Sequence, residues 1–169
     1  MSSDDNEVIT EKAEGSSSEP RNTIVTLVSS DEVKFEVDMA VANQSETIKN
    51  LISDMEDNVD EFVVPLLNVS GLVLAKVIQY WKQHAEVNDK EQLDAFDRLF
   101  VDMQKELLFD ALIAVNFLES RPLLILLCKA IADNVKDMPV EEVREYFSIE
   151  NDFTEEEEQT VRAENQWAF

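Results

Sequence analysis

IENDFTEEEEQTVRAENQWAF, residues 149–169, starts a helix well and gives it little to rest on. Thr154 and Glu157 have the spacing of a capping box, in which the hydroxyl accepts from a first-turn N–H and the carboxylate reaches back to the threonine N–H. Glu155, Glu156, Glu157 and Glu158 sit at the positive end of the helix dipole, where anions are favoured. Between Glu155 and Asn165 the one sizeable apolar side chain is Val161, flanked by Phe153 and Trp167, with Phe169 last. A helix of about a dozen residues is marginal in isolation, and one valine makes no core-facing stripe. Two readings follow. The stretch is a frayed acidic tail, or it is a docking segment whose aromatics anchor another protein.

Upstream, the β-branched runs TIVTLV (23–28) and VKFEV (33–37) flank a four-residue interval and read as a hairpin. Ser45 suits the cap of a helix carrying Ile48, Leu51, Ile52 and Met55 at i, i+3, i+4 and i+7. FVVPL (62–66) is a third strand, and Pro65 places it at an edge or at its end. Ser70 and Gly71 open a helix with Leu74, Val77, Ile78 and Trp81 on one face. A polar interval (84–90) precedes a helix bearing Leu93, Phe96 and Phe100. LLFDALIAVNFL (107–118) is apolar on nearly all sides, the pattern of a helix buried within a bundle. Pro122 and Pro139 each suit a helix start. Leu124, Leu127, Cys128, Ile131 and Val135 line the first of these helices, and Val140, Val143 and Phe147 the second.

The charge narrows the classes of partner. Of 169 residues, 37 are acidic and 14 basic, a formal −23 that repels nucleic acid and anionic lipid. An apolar fraction of 44% still allows a sizeable core. Residues 1–22 are acidic and serine-rich and are expected to be disordered. Their first fifteen residues lack the apolar stretch of a secretory signal. The run 122–128 is far too short to span a bilayer.

Catalysis finds no constellation. Gly15 and Gly71 are the only glycines, too few for a phosphate-cradling loop. The single cysteine excludes an internal disulfide, and one histidine leaves a Cys/His zinc site short of ligands. His84 is expected to face solvent, and Cys128, among leucines, to be a buried inert thiol. The acidic run 54–61 lacks the glycine of a calcium loop and reads as solvated.

NDFTEEEE followed by VRAENQWAF resembles the C-terminal signature of the Skp family, the adaptors of SCF-type (Skp–cullin–F-box) ubiquitin ligases. The upstream segments agree with it in order over residues 23–169. The resemblance implies an α+β fold: a BTB/POZ-type core, with a small three-stranded sheet and helices, plus a C-terminal helical extension. It divides the chain into an acidic extension (1–22), a cullin-facing core (23–118) and an F-box-interaction region (119–169), whose surface begins near residue 108. Carried over position by position, the F-box contacts are Leu124, Leu127, Cys128, Ile131, Phe147, Ile149, Phe153, Val161, Asn165 and Trp167. Leu124, Leu127 and Ile131 can equally be core, as leucine on a helical face often is.

The cullin contact falls on Asn116 and Phe117, where the family has Asn-Tyr. Losing the phenolic hydrogen bond costs about 0.5–1.5 kcal/mol, so a weaker hold on the cullin is expected. Further departures are Glu32 in place of a turn glycine, Leu67 in place of proline, Gln104 in place of a capping aspartate (with Asp102 as a possible substitute cap) and Met138 in place of threonine. The expected protein is a non-catalytic adaptor that joins F-box proteins to a cullin, and through it to a RING protein, for ubiquitination and proteasomal degradation. Nucleus and cytoplasm are its expected compartments. No cofactor, metal, nucleic acid or membrane partner is expected. A reading from another class is a free acidic chaperone of basic proteins, motivated by the net charge.

Overall fold

A computed structural model describes residues 24–55 and 62–166. The β-branched runs form β1 (Ile24–Ser29) and β2 (Lys34–Asp38), antiparallel, with Ile24 opposite Asp38 and Val28 opposite Lys34. Val25 and Leu27 of β1 and Val37 of β2 point into the core, as a period of two requires. The turn is held by Ser29, whose hydroxyl donates to Asp31 Oδ1 (2.7 Å) and accepts from the Val33 N–H (3.0 Å). Glu32 takes φ 62°, the left-handed conformation expected where a glycine usually stands.

A single turn, α1 (Met39–Ala42), had no signal in the sequence, having no side-chain cap at either end. It leads into α2 (Glu46–Ser53), capped as expected by Ser45, which accepts from the Ile48 N–H at 3.1 Å. β3 (Phe62–Leu66) pairs in parallel with β1, giving the order β2-β1-β3, so Pro65 lies on an edge strand. The acidic run at 56–61 and the segment 1–23 lie outside the described residues.

Six helices follow: α3 (Gly71–Glu86), α4 (Lys90–Phe100), α5 (Lys105–Phe117), α6 (Arg121–Val135), α7 (Val140–Phe147) and α8 (Glu155–Glu164). Ser70 does not cap α3 with its side chain. Asp31 does so from the hairpin turn, accepting the Gly71 N–H at 2.6 Å. The approach is close: a Cβ at Gly71 would stand 3.0 Å from the Val33 side chain, which would have to give by a few tenths of an ångström. One buried cluster runs from Val25, Leu27, Val64 and Leu66 of the sheet through Leu74 and Trp81 to Leu108, Leu118, Leu123 and Leu127. Trp81 is fully buried and donates its indole N–H to Ser120 Oγ at 2.9 Å, so its one polar group is satisfied.

Three expectations are corrected here. His84 is not in a solvent-facing loop: α3 runs through it, its ring stacks on Tyr80 (4.0 Å), and Nε2 lies 2.8 Å from Asp97 Oδ1 of α4. Residues 107–118 are not buried all round. α5 packs on α3 and α6, leaving a third face on which Ile113 is 67% exposed. Asp102 does not replace the missing cap of α5, whose N-cap is Gln104 without a side-chain bond.

Candidate partner-binding surface

The inward stripe of α6 is Leu123, Leu127 and Ile131, at most 7% exposed. Two of the expected contacts, Leu127 and Ile131, thus lie in the chain's own core, because α6 turns them toward α5; Leu124 is half-buried. Cys128 is exposed, contrary to the buried thiol expected, since one step of about 100° carries it off the leucine stripe. Ile125, three residues before it on the same face, is 68% exposed and was not foreseen. In LLILL (123–127) every direction is apolar, so the sequence pattern could not say which side meets α5.

α7 is fastened by rings. Phe109 of α5 lies 5.6 Å from the Tyr146 ring and 5.7 Å from that of Phe147, while Asn134 of α6 donates its side-chain amide to the Tyr146 hydroxyl (3.2 Å). The helix ends on Ser148 in a left-handed conformation (φ 55°), and the Ile149 N–H returns to the Arg144 carbonyl at 2.8 Å. This stop turns the chain outward. Phe147, Ile149 and Phe153 are then 39%, 57% and 47% exposed.

The capping box at Thr154 forms as its spacing predicts. Its hydroxyl accepts the Glu157 N–H at 3.3 Å, and its N–H donates to Glu157 Oε2 at 2.9 Å. The Thr154 N–H and then its hydroxyl hold the Glu157 carboxyl below its ordinary range. Neither α7 nor α8 buries a side chain. Val161 and Asn165 are half-buried, and the Asn165 amide donates to the Val161 carbonyl (3.0 Å), closing the helix end. Phe153, Thr160 and Val161 line one open cavity of about 380 Å³ with Glu156 and Glu157. Trp167, expected as an anchor, lies outside the described residues, as does Phe169.

Asn116 is exposed and Phe117 is 39% exposed. α2 clamps this end of α5: Thr47 Oγ1 donates to the Phe117 carbonyl (2.7 Å) and Ser45 Oγ to that of Leu118. Asn116 and Leu124, assigned to different partners, line one open cavity of about 630 Å³ with Glu46, Glu119 and Arg121. One turn before Phe117, Ile113 borders a groove with Leu67, which is 76% exposed. These two positions were also missed: the sequence reading put Ile113 on a helix buried all round and noted Leu67 only as a departure from a proline.

Among the described residues no group of His, Cys, Asp and Glu side chains could hold a metal ion, and no helix is long and apolar enough to cross a membrane. What remains is surface. A small core that carries an arm of two shallowly docked helices, with exposed aromatics along it, is a protein-binding adaptor in class. Residues 23–86 match the Skp1 family tetramerisation domain and residues 121–168 the Skp1 family dimerisation domain. SKP1-like protein 11 of Arabidopsis thaliana is 43% identical over 150 residues, covering 86% of this chain and 97% of the relative. SKP1-like protein 3 of the same plant is 45% identical over 159 residues (86% and 96%). SKP1-like protein 1 of Oryza sativa subsp. japonica is 38% identical over 172 residues (89% and 98%).

The chain belongs to the Skp1 family. Its sheet and helices are a BTB/POZ-type core with a C-terminal helical extension, and it is an adaptor subunit of an SCF ubiquitin ligase. Membership implies binding to F-box proteins and a cullin in such complexes. The free acidic chaperone finds no support in these matches.

Proposed function

We propose that the chain does no bond chemistry and acts by holding two partners at once, an F-box receptor on residues 119–169 and a cullin on the end of α5. Tethering raises the effective concentration of the receptor's cargo near the ubiquitin-loaded enzyme that the cullin carries through its RING protein. The observation that carries this reading is the exposure of Phe147, Ile149 and Phe153 on an arm that buries none of its own helix side chains. With Leu124, Cys128, Val161, Asn165 and Trp167 they form the proposed receptor surface, and Ile125 joins them. Leu127 and Ile131 support it from beneath. Asn116 and Phe117 take the cullin, with Ile113 and Leu67 extending that patch. Nucleus and cytoplasm are the proposed compartments, on the strength of family membership.

Two arms test this. In a pull-down with a recombinant F-box domain, Ile149→Ala with Phe153→Ala is expected to reduce capture strongly, since truncated interface anchors commonly cost more than about 2 kcal/mol. Undiminished capture refutes the receptor surface. In a titration with a cullin N-terminal domain, Phe117→Tyr is expected to tighten binding by about two- to ten-fold, the worth of one neutral hydrogen bond. No change there removes Phe117 from the cullin contact.

A further inference from the structure

α7 is held to α5 by rings, whereas α8 is held to α7 by charge. Arg162 of α8 pairs with Glu141 of α7 and, at 3.2 Å, with Glu158 one turn earlier on its own helix. Arg144 of α7 lies 3.6 Å from the same Glu158 oxygen. Glu141 and Arg144 are one turn apart on α7, as Glu158 and Arg162 are on α8. The crossings therefore join 141 to 162 and 144 to 158, running in opposite directions along the two helices. Two such links at successive turns fix the rotation of α8 about its own axis, which one link alone would leave free. That rotation sets where Thr160 and Val161 face.

Exposed ion pairs ordinarily contribute little. Here they meet no competing core, because α8 buries no side chain; Arg144 and Glu158 are 19% and 29% exposed, and Arg162 and Glu141 45% and 55%. Arg162 is charged at any ordinary pH, and hydrogen bonding to Glu158 and then Glu141 favours the charged form further. In this setting a small coupling energy decides an orientation.

We infer that Glu141, Arg144, Glu158 and Arg162 are positioning residues, which set the rotation of α8 in the free protein and so pre-form the surface an F-box receptor takes. This rests on the adaptor reading above. Ordering the arm beforehand lowers the cost of ordering it at the moment of binding.

The test uses the full chain with Arg162→Met, Glu141→Gln, the two combined, and Arg162→Lys, read by calorimetric titration with a recombinant F-box domain and by hydrogen exchange of α8 amides. Each single neutralisation is expected to weaken receptor binding about two- to five-fold at low salt and to speed α8 exchange, with α7 exchange unchanged. The double variant is expected to be no weaker than the singles, because both remove the same link. Arg162→Lys keeps most of the affinity, and about 0.5 M salt narrows the gap between wild type and variants. Wild-type affinity in Arg162→Met, or losses that simply add in the double variant, overturns this inference alone. Failure of the wild-type chain to bind any F-box domain overturns the adaptor reading, and this inference with it.

Discussion

Glu32 occupies a conformation that L side chains avoid, and the hairpin tolerates it because its neighbours are tied down. Ser29 bonds to both Asp31 and Val33, and Asp31 in turn holds the first N–H of α3. With both flanks fixed, the turn cannot relax by changing φ at its third residue. Glu32→Gly is therefore expected to stabilise the fold by about 1 kcal/mol, seen as a higher denaturation midpoint at unchanged slope. A midpoint that stays put or falls would show that the left-handed residue carries no strain here. The same loop crowds Gly71, where an added Cβ would meet the Val33 and Asp31 side chains at 3.0 and 3.1 Å.

The helices divide by what docks them. α3, α5 and α6 supply the core, α7 leans on aromatic rings, and α8 depends on its cap and its charges. Local devices were legible in the sequence for this reason. The hairpin, the Ser45 cap, the edge proline and the Thr154–Glu157 box are each decided by residues within a few positions of one another. Facing was not legible. Cys128, Ile113 and His84 were assigned by composition, yet their burial depends on which neighbour arrives: α5 beside α6, nothing beside the outer face of α5, and α4 beside α3. Among the residues of the proposed receptor surface, the exposure of Phe147, Ile149 and Phe153 was readable because short acidic helices offer them no interior. Leu127 and Ile131 were not distinguishable from their exposed neighbours until the packing was seen. Core helix α5 starts poorly: its Gln104 has cap-like backbone angles (φ −60°, ψ 145°) but makes no side-chain bond. Gln104→Asp is expected to add about 1 kcal/mol, checked by thermal unfolding; an unchanged midpoint would mean that another group already serves those N–H donors.

Across the whole molecule, charge acts in two opposing senses. A formal −23 strains the compact state by self-repulsion, so partial neutralisation below pH 7 is expected to raise stability toward about pH 5. Against this, Asp31, Glu141 and Glu157 are held below their ordinary carboxyl range. Ser29 and the Gly71 N–H do so for Asp31; backbone bonding and then Arg162 do so for Glu141; Thr154 does so for Glu157. Groups depressed in the folded state add stability that is fully present above their unfolded values, 3.8 for the aspartate and 4.5 for the glutamates. It is lost as pH falls through the folded values. The expected profile rises gently from neutral and then drops below about pH 4, and Asp31→Asn with Glu157→Gln flattens that drop. A chemical-denaturation series across pH checks it, and an equally steep drop in the double variant would assign acid unfolding to other groups.

The connector at 150–154, extended and exposed between two helices that bury nothing, has a consequence for turnover. A protease is expected to cut the free chain there, separating α8 from α7 and the core. An F-box domain seated on the proposed receptor surface is expected to shield the same peptide, seen as slower cleavage in its presence.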